Sequence, residues 1–124
     1  MRLFNIAVLL FLIGIISSCG SKPDQTPKPE NMIAQDTLVM MFHDIHLIDA
    51  SLTTNVVDPR GVYSRYNLYQ SMFAKYNRNA GDFNETIRYY VLNDITTLDE
   101  VYDKVLARLN KEQGELTQKL QEDF

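Results

Sequence analysis

Nowhere does this chain alternate apolar and polar residues in the two-residue period of a half-buried strand. Apolar residues recur instead at steps of three and four. That regularity restricts the fold to the all-α class, a small bundle of about four helices. The first helix is expected from Asp36, which can cap it, through about Thr53, with Leu38, Met41, Phe42, Ile45, Ile48 and Leu52 as its inward stripe. Val39, Met40 and Leu47 add apolar groups on the other side, so this helix should be the central one. Asp58-Pro59-Arg60-Gly61 signals a turn. A second helix, from about Tyr63 to Asn79, carries the aromatic stripe Tyr66, Tyr69, Phe73 and Tyr76, and the stretch from Asn77 to Gly81 breaks it.

The third helix is expected to open at Asp82 with Glu85 as its capping-box partner, and to face inward through Phe83, Ile87, Tyr90 and Val91. Asn93-Asp94 ends it. Thr97 and Glu100 repeat the spacing and open the last helix, whose stripe is Leu98, Val101, Tyr102, Val105 and Leu109. Leu116 and Leu120 prolong that stripe, although Glu112 and Gln113 interrupt it and Gly114 costs about 1 kcal/mol relative to alanine. The last turns should project past the core and fray.

The start of the chain has a different character. Arg2 is followed by an apolar run from Leu3 to Ile16, broken only by Asn5 and Gly14, and then by Ile16-Ser17-Ser18-Cys19. A run shorter than the ~20 residues that cross a bilayer, closed by small residues, reads as a cleaved signal. Cys19 is the only cysteine and stands where a lipoprotein is diacylglycerated and cut. One acyl chain, such as a palmitate, binds a membrane marginally, whereas two or three hold it stably at about 0.8 kcal/mol per buried methylene. The alternative is a plain secretory signal with a chance cysteine. The expected organisation is a signal peptide over 1–18, lipidated Cys19 with a Pro-rich tether over 19–35, and a helical domain over 36–124. Pro23, Pro27 and Pro29 make the tether a semi-rigid spacer. Gly20 rather than Asp after the cysteine tilts the address toward the outer membrane, with the domain in the periplasm.

Cleavage before Cys19 leaves 106 residues and removes Arg2, so eleven basic residues face sixteen acidic ones, a net charge near −5. An acidic body of this kind is a poor partner for nucleic acid, which needs clustered Lys and Arg, and it would not lie flat on anionic lipid. No second cysteine exists to form a disulfide within the chain, so a single domain must rest on its apolar core.

Three blocks resemble an uncharacterised family of small lipoproteins from Bacteroidota-type Gram-negative bacteria, a domain of unknown function. The first is Asp44-Ile45-His46-Leu47-Ile48-Asp49-Ala50. The second runs from Tyr69 through Phe73 to Lys75 and Tyr76, where family members usually carry a His-Gly pair after the lysine and this chain has Tyr76-Asn77. The third comprises Phe83, Thr86, Arg88-Tyr89-Tyr90, Leu98, Val101-Tyr102, Val105 and Leu109. The likeness covers roughly residues 29 to 110. It implies a helical, periplasm-facing lipoprotein and supplies no activity and no catalytic residue.

The residues that could carry chemistry are few. His43, His46 and Asp49 follow one another at three-residue steps on the first helix, with His43 and Asp49 about 120° apart around its axis. Two of them could share a ligand, but zinc wants three or four, and copper(I) would add Met40 or Met41. The structural reading puts His43 on the surface and makes His46 and Asp49 a buried polar pair, because Asp49 falls between Phe42, Ile45 and Leu52. Arg88 or a tyrosine from another helix is a further donor for Asp49. Ser51, Ser64 and Ser71 lack a nearby His-acid arrangement, no Gly-rich phosphate loop exists, and Asp99, Glu100 and Asp103 sit at a helix start where acid complements the dipole. The seven tyrosines fall at core spacing more than as a stacking platform. No catalytic residue, metal or cofactor is therefore assigned. The expected function is a lipid-anchored, non-enzymatic module that docks an envelope protein or peptide through its helical surface. The alternative is a small-ligand or metal-binding lipoprotein using the His43/His46/Asp49 helix.

Overall fold

The computed structural model describes residues 26–54 and 64–123. The expected signal peptide, Cys19, the first part of the expected tether and the turn expected at Asp58–Gly61 lie outside the described residues. Four helices follow in order, α1 (Gln35–Thr53), α2 (Arg65–Lys75), α3 (Ala80–Asn93) and α4 (Ile95–Glu122), and no strand occurs among the described residues. The all-α expectation holds.

Central α1 packs on both α4 and α2, while α3 folds back on α4. Leu38, Met41, Val101 and Val105 form the fully buried centre, and Phe42, Met72, Phe73, Tyr90 and Leu98 close around it. The Phe83 ring sits edge-on to Phe42 at 5.4 Å and to Phe73 at 5.8 Å, joining α1, α2 and α3 at one point. Three members of the expected stripes are exposed instead: Tyr66, Val91 and Tyr102 are 70%, 51% and 39% exposed.

Helix ends differ from the expected ones by about a turn, for identifiable reasons. α1 begins after Ala34 with no side-chain cap, and Asp36 stands in its first turn rather than at its cap. α3 begins after Asn79, not at Asp82. Asn79 Oδ1 accepts from the Asp82 amide at 2.9 Å, and Asp82 Oδ2 accepts from the Asn79 amide, a reciprocal box one turn before the one expected. Asp94 both ends α3 and caps α4, accepting from the Thr97 amide at 3.1 Å and its hydroxyl at 2.6 Å. α2 stops at Lys75 because Asn77 takes a left-handed φ of 50°. The Arg78 amide then donates to the Phe73 carbonyl and the Asn77 amide to that of Ala74, the two closing bonds of a Schellman ending. Glycine suits that position best and asparagine next, so Asn77 can hold it.

The segment before α1 belongs to the body. Ile33 is fully buried, and its amide donates to Thr86 Oγ1 at 3.1 Å, while that hydroxyl donates to the Asp82 carbonyl. Residues from Thr26 onward line grooves with Glu85, Arg88 and Tyr90 of α3, so the latter part of the expected tether is a strap laid across this helix.

α4, at 28 residues, is the longest element, about 42 Å. Every residue from Gln113 to Asp123 is exposed. The helix nonetheless continues through Gly114 to Glu122, supported by one-turn contacts such as Arg108–Glu112 and Gln118–Glu122. The projection was expected and the fraying does not occur.

Candidate functional site

The polar groups of this bundle gather on α1, from its third turn onward, where it meets α2 and α4. Two aspartates on α1 are each held by one cation and one tyrosine hydroxyl from α2. Asp44 Oδ2 accepts from Lys75 Nζ at 2.6 Å and Tyr76 OH at 2.8 Å, and Asp49 Oδ1 accepts from Arg65 Nη1 and Tyr69 OH, both at 2.8 Å. Because α1 and α2 run antiparallel, the later aspartate meets the earlier pair. The two clasps fix the register of the helices. They differ in burial: the Asp44 side chain is 17% exposed, that of Asp49 45%.

His43 ties α1 to α4. It is buried, with Nε2 2.7 Å from Glu112 Oε2 and Nδ1 3.4 Å from Asp44 Oδ1. Both ring nitrogens face carboxylates, and only a ring carrying both N–H groups can donate to both. On the far side, Arg108 Nε donates to Glu112 Oε1 at 3.2 Å, and Arg108 Nη1 reaches the Met40 sulfur. A chain of polar contacts thus runs Lys75, Asp44, His43, Glu112, Arg108 across three helices.

The titration behaviour follows from these partners. Burial pushes the Asp44 carboxyl up, but hydrogen bonds from Lys75, Tyr76 and His43 together outweigh it and hold the group below its ordinary value. The hydrogen bond from His43 holds Glu112 low as well. Burial, and then the bond to Asp44, raises Tyr76, and the bond to Asp44 raises Lys75. A carboxyl lowered in the folded state stabilises it above the unfolded value and loses that contribution as pH falls through the folded one. Thermal melts should therefore be level from about pH 7 to pH 5 and fall steeply below about pH 4. Asp44→Asn should blunt that acid limb, and a wild-type melting temperature unchanged down to about pH 3 would contradict the network.

The sequence-derived site fares unevenly. His43, expected on the surface, is buried, and His46, expected in a buried pair with Asp49, is exposed with no hydrogen-bond partner among the described residues. Asp49 takes its donors from α2, a tyrosine as anticipated and Arg65 in place of Arg88. Among the described residues no three His, Cys, Asp or Glu side chains converge to hold a metal ion, and no buried side-chain nitrogen or oxygen lacks a partner. Lys75, Tyr76, Arg108 and Glu112 were not singled out as site residues. The only sequence signal was that Asp44 and the Lys75-Tyr76 pair stand in two of the resembling blocks.

A family model with the description "Domain of unknown function (DUF4296)" matches residues 29–115, most of the chain. The chain belongs to that family. The DUF4296 match begins inside the strap, just ahead of Ile33, and ends just past Glu112, so it takes in every residue from Lys75 to Arg108 of the polar chain. No curated protein and no solved structure matches. No helix among the described residues is long and apolar enough to cross a membrane.

Proposed function

We propose that this protein is a lipid-anchored, non-enzymatic module of the cell envelope, held by Cys19 and docking a protein or peptide through its helical surface. The outer membrane, with the body in the periplasm, is the proposed address. One observation carries the reading. His43, Asp44 and Asp49 of α1 are taken up by partners outside that helix, while large apolar side chains stand in water around the turn between α3 and α4: Val91, Leu92 and Ile95 are 51%, 38% and 52% exposed. Saturated polar groups make poor catalysts, and grouped exposed apolar ones mark interaction surfaces.

Two arms test it. Cys19→Ala should leave unprocessed precursor that takes up no labelled fatty acid. If Cys19→Ala is processed and labelled as before, the anchor assignment fails. In the second arm, cross-linked wild-type protein should capture a defined envelope partner that Val91→Ser with Ile95→Ser loses while remaining folded. Equal capture by both would remove that surface from the proposal.

A further inference from the structure

α4 carries a second apolar face that its own body uses only at its start, where the Tyr102 ring lies 4.6 Å from that of Phe42 and Leu109 is half-buried against the core. Leu98, Val101 and Val105 are buried against the bundle. Beside them runs another series, Tyr102, Leu106, Leu109, Gln113, Leu116 and Leu120, at alternating steps of four and three, the a/d spacing of a coiled-coil seam. Leu106 is 53% exposed and Leu116 and Leu120 are each 61% exposed. Helices in proteins draw most of their stability from packing such a face, yet residues 113–122 stay helical through a glycine while every one of them is exposed.

We propose that α4 pairs antiparallel with α4 of a second copy of this chain. Leu109 of each copy would meet Leu120 of the other, and Gln113 would meet Leu116. The flanking charges select this arrangement. Glu112, which His43 and Arg108 of its own chain already contact but whose side chain is 38% exposed, and Lys119 occupy equivalent positions one residue before Gln113 and Leu120, so an antiparallel copy in this register brings each Glu112 opposite a Lys119. The other flank sets uncharged Asn110 opposite Thr117. A parallel copy would set Glu112 beside Thr117 and gain no ion pair. The overlap involves the projecting half of α4, so the two bodies sit at opposite ends, and the contact is isologous and closes as a dimer.

The seam from Leu109 to Leu120 is about 16 Å long, a footprint far below the ~800 Å² per partner of a stable interface. The association is therefore weak in solution and gains from tethering, which confines both copies to one surface. That last step rests on the lipid-anchor reading, whereas the pairing itself does not.

Equilibrium sedimentation of the full chain in density-matched detergent, from micromolar to millimolar protein, tests it. The expected result is a reversible monomer–dimer equilibrium. Leu116→Lys with Leu120→Lys should abolish it with helical content kept, and Lys119→Glu, which turns both flanking pairs repulsive, should weaken it about tenfold. A monomer throughout the range, a dimer indifferent to the two leucine substitutions, or a mass that keeps growing beyond two copies would each overturn the pairing. So would a monomer whose Leu116→Lys, Leu120→Lys variant loses a captured envelope protein. That result would give the seam to a different partner and leave the docking function standing.

Discussion

Ile33→Ala is expected to lower the stability of the purified chain by about 2–4 kcal/mol, the range for truncating a fully buried large aliphatic side chain. The effect is large for a residue outside every helix because Ile33 is where the strap enters the core. Removing its side chain opens a cavity between the strap and the helices, and it frees the backbone that brings the Ile33 amide to Thr86. In a domain of this size each kcal/mol shifts the melting temperature by about 4–8 °C, so a drop of ten degrees or more should be seen. A urea midpoint within experimental error of wild type would mean that the strap is not part of the cooperative unit.

Asp44→Ala should come next, at about 2–3 kcal/mol, because one carboxylate serves three donors and is largely removed from water. Lys75, Tyr76 and His43 would all lose it together. Asp49→Ala makes the informative comparison. Its clasp with Arg65 and Tyr69 has the same composition, but both charged side chains are well exposed, so its loss should cost less than about 1 kcal/mol. Urea denaturation of both variants checks the pair. If Asp49→Ala proves the more damaging, burial is not what separates the two clasps.

The comparison also shows what periodicity can reveal. Leu38, Met41 and Phe42 were placed correctly because three-and-four spacing defines a direction. α1, however, buries Val39 and His43 as well, so its inward arc is broad and the phase of any polar residue at the edge is poorly determined. His43 and His46 were exchanged for that reason. Their partners lie far along the chain, Glu112 sixty-nine residues from His43 and Lys75 thirty-one from Asp44, and spacing says nothing about which distant residues meet. Caps were misplaced by a turn because Asn79 and Asp82, like Asp94 and Thr97, all have cap-forming side chains, and only the folded path selects among them. Ile33 went unnoticed because one aliphatic residue after a proline-rich run has no period to betray it.

The strap sets a length scale for the proposed anchor. With residues from Thr26 onward laid on α3, seven residue steps separate the body from Cys19, and even a fully extended chain covers no more than about 25 Å in that distance. An acylated Cys19 would therefore hold the body within roughly its own diameter of the lipid, on a short leash attached beside Glu85 and Arg88. Any molecule it engages must come to the bilayer surface to be reached.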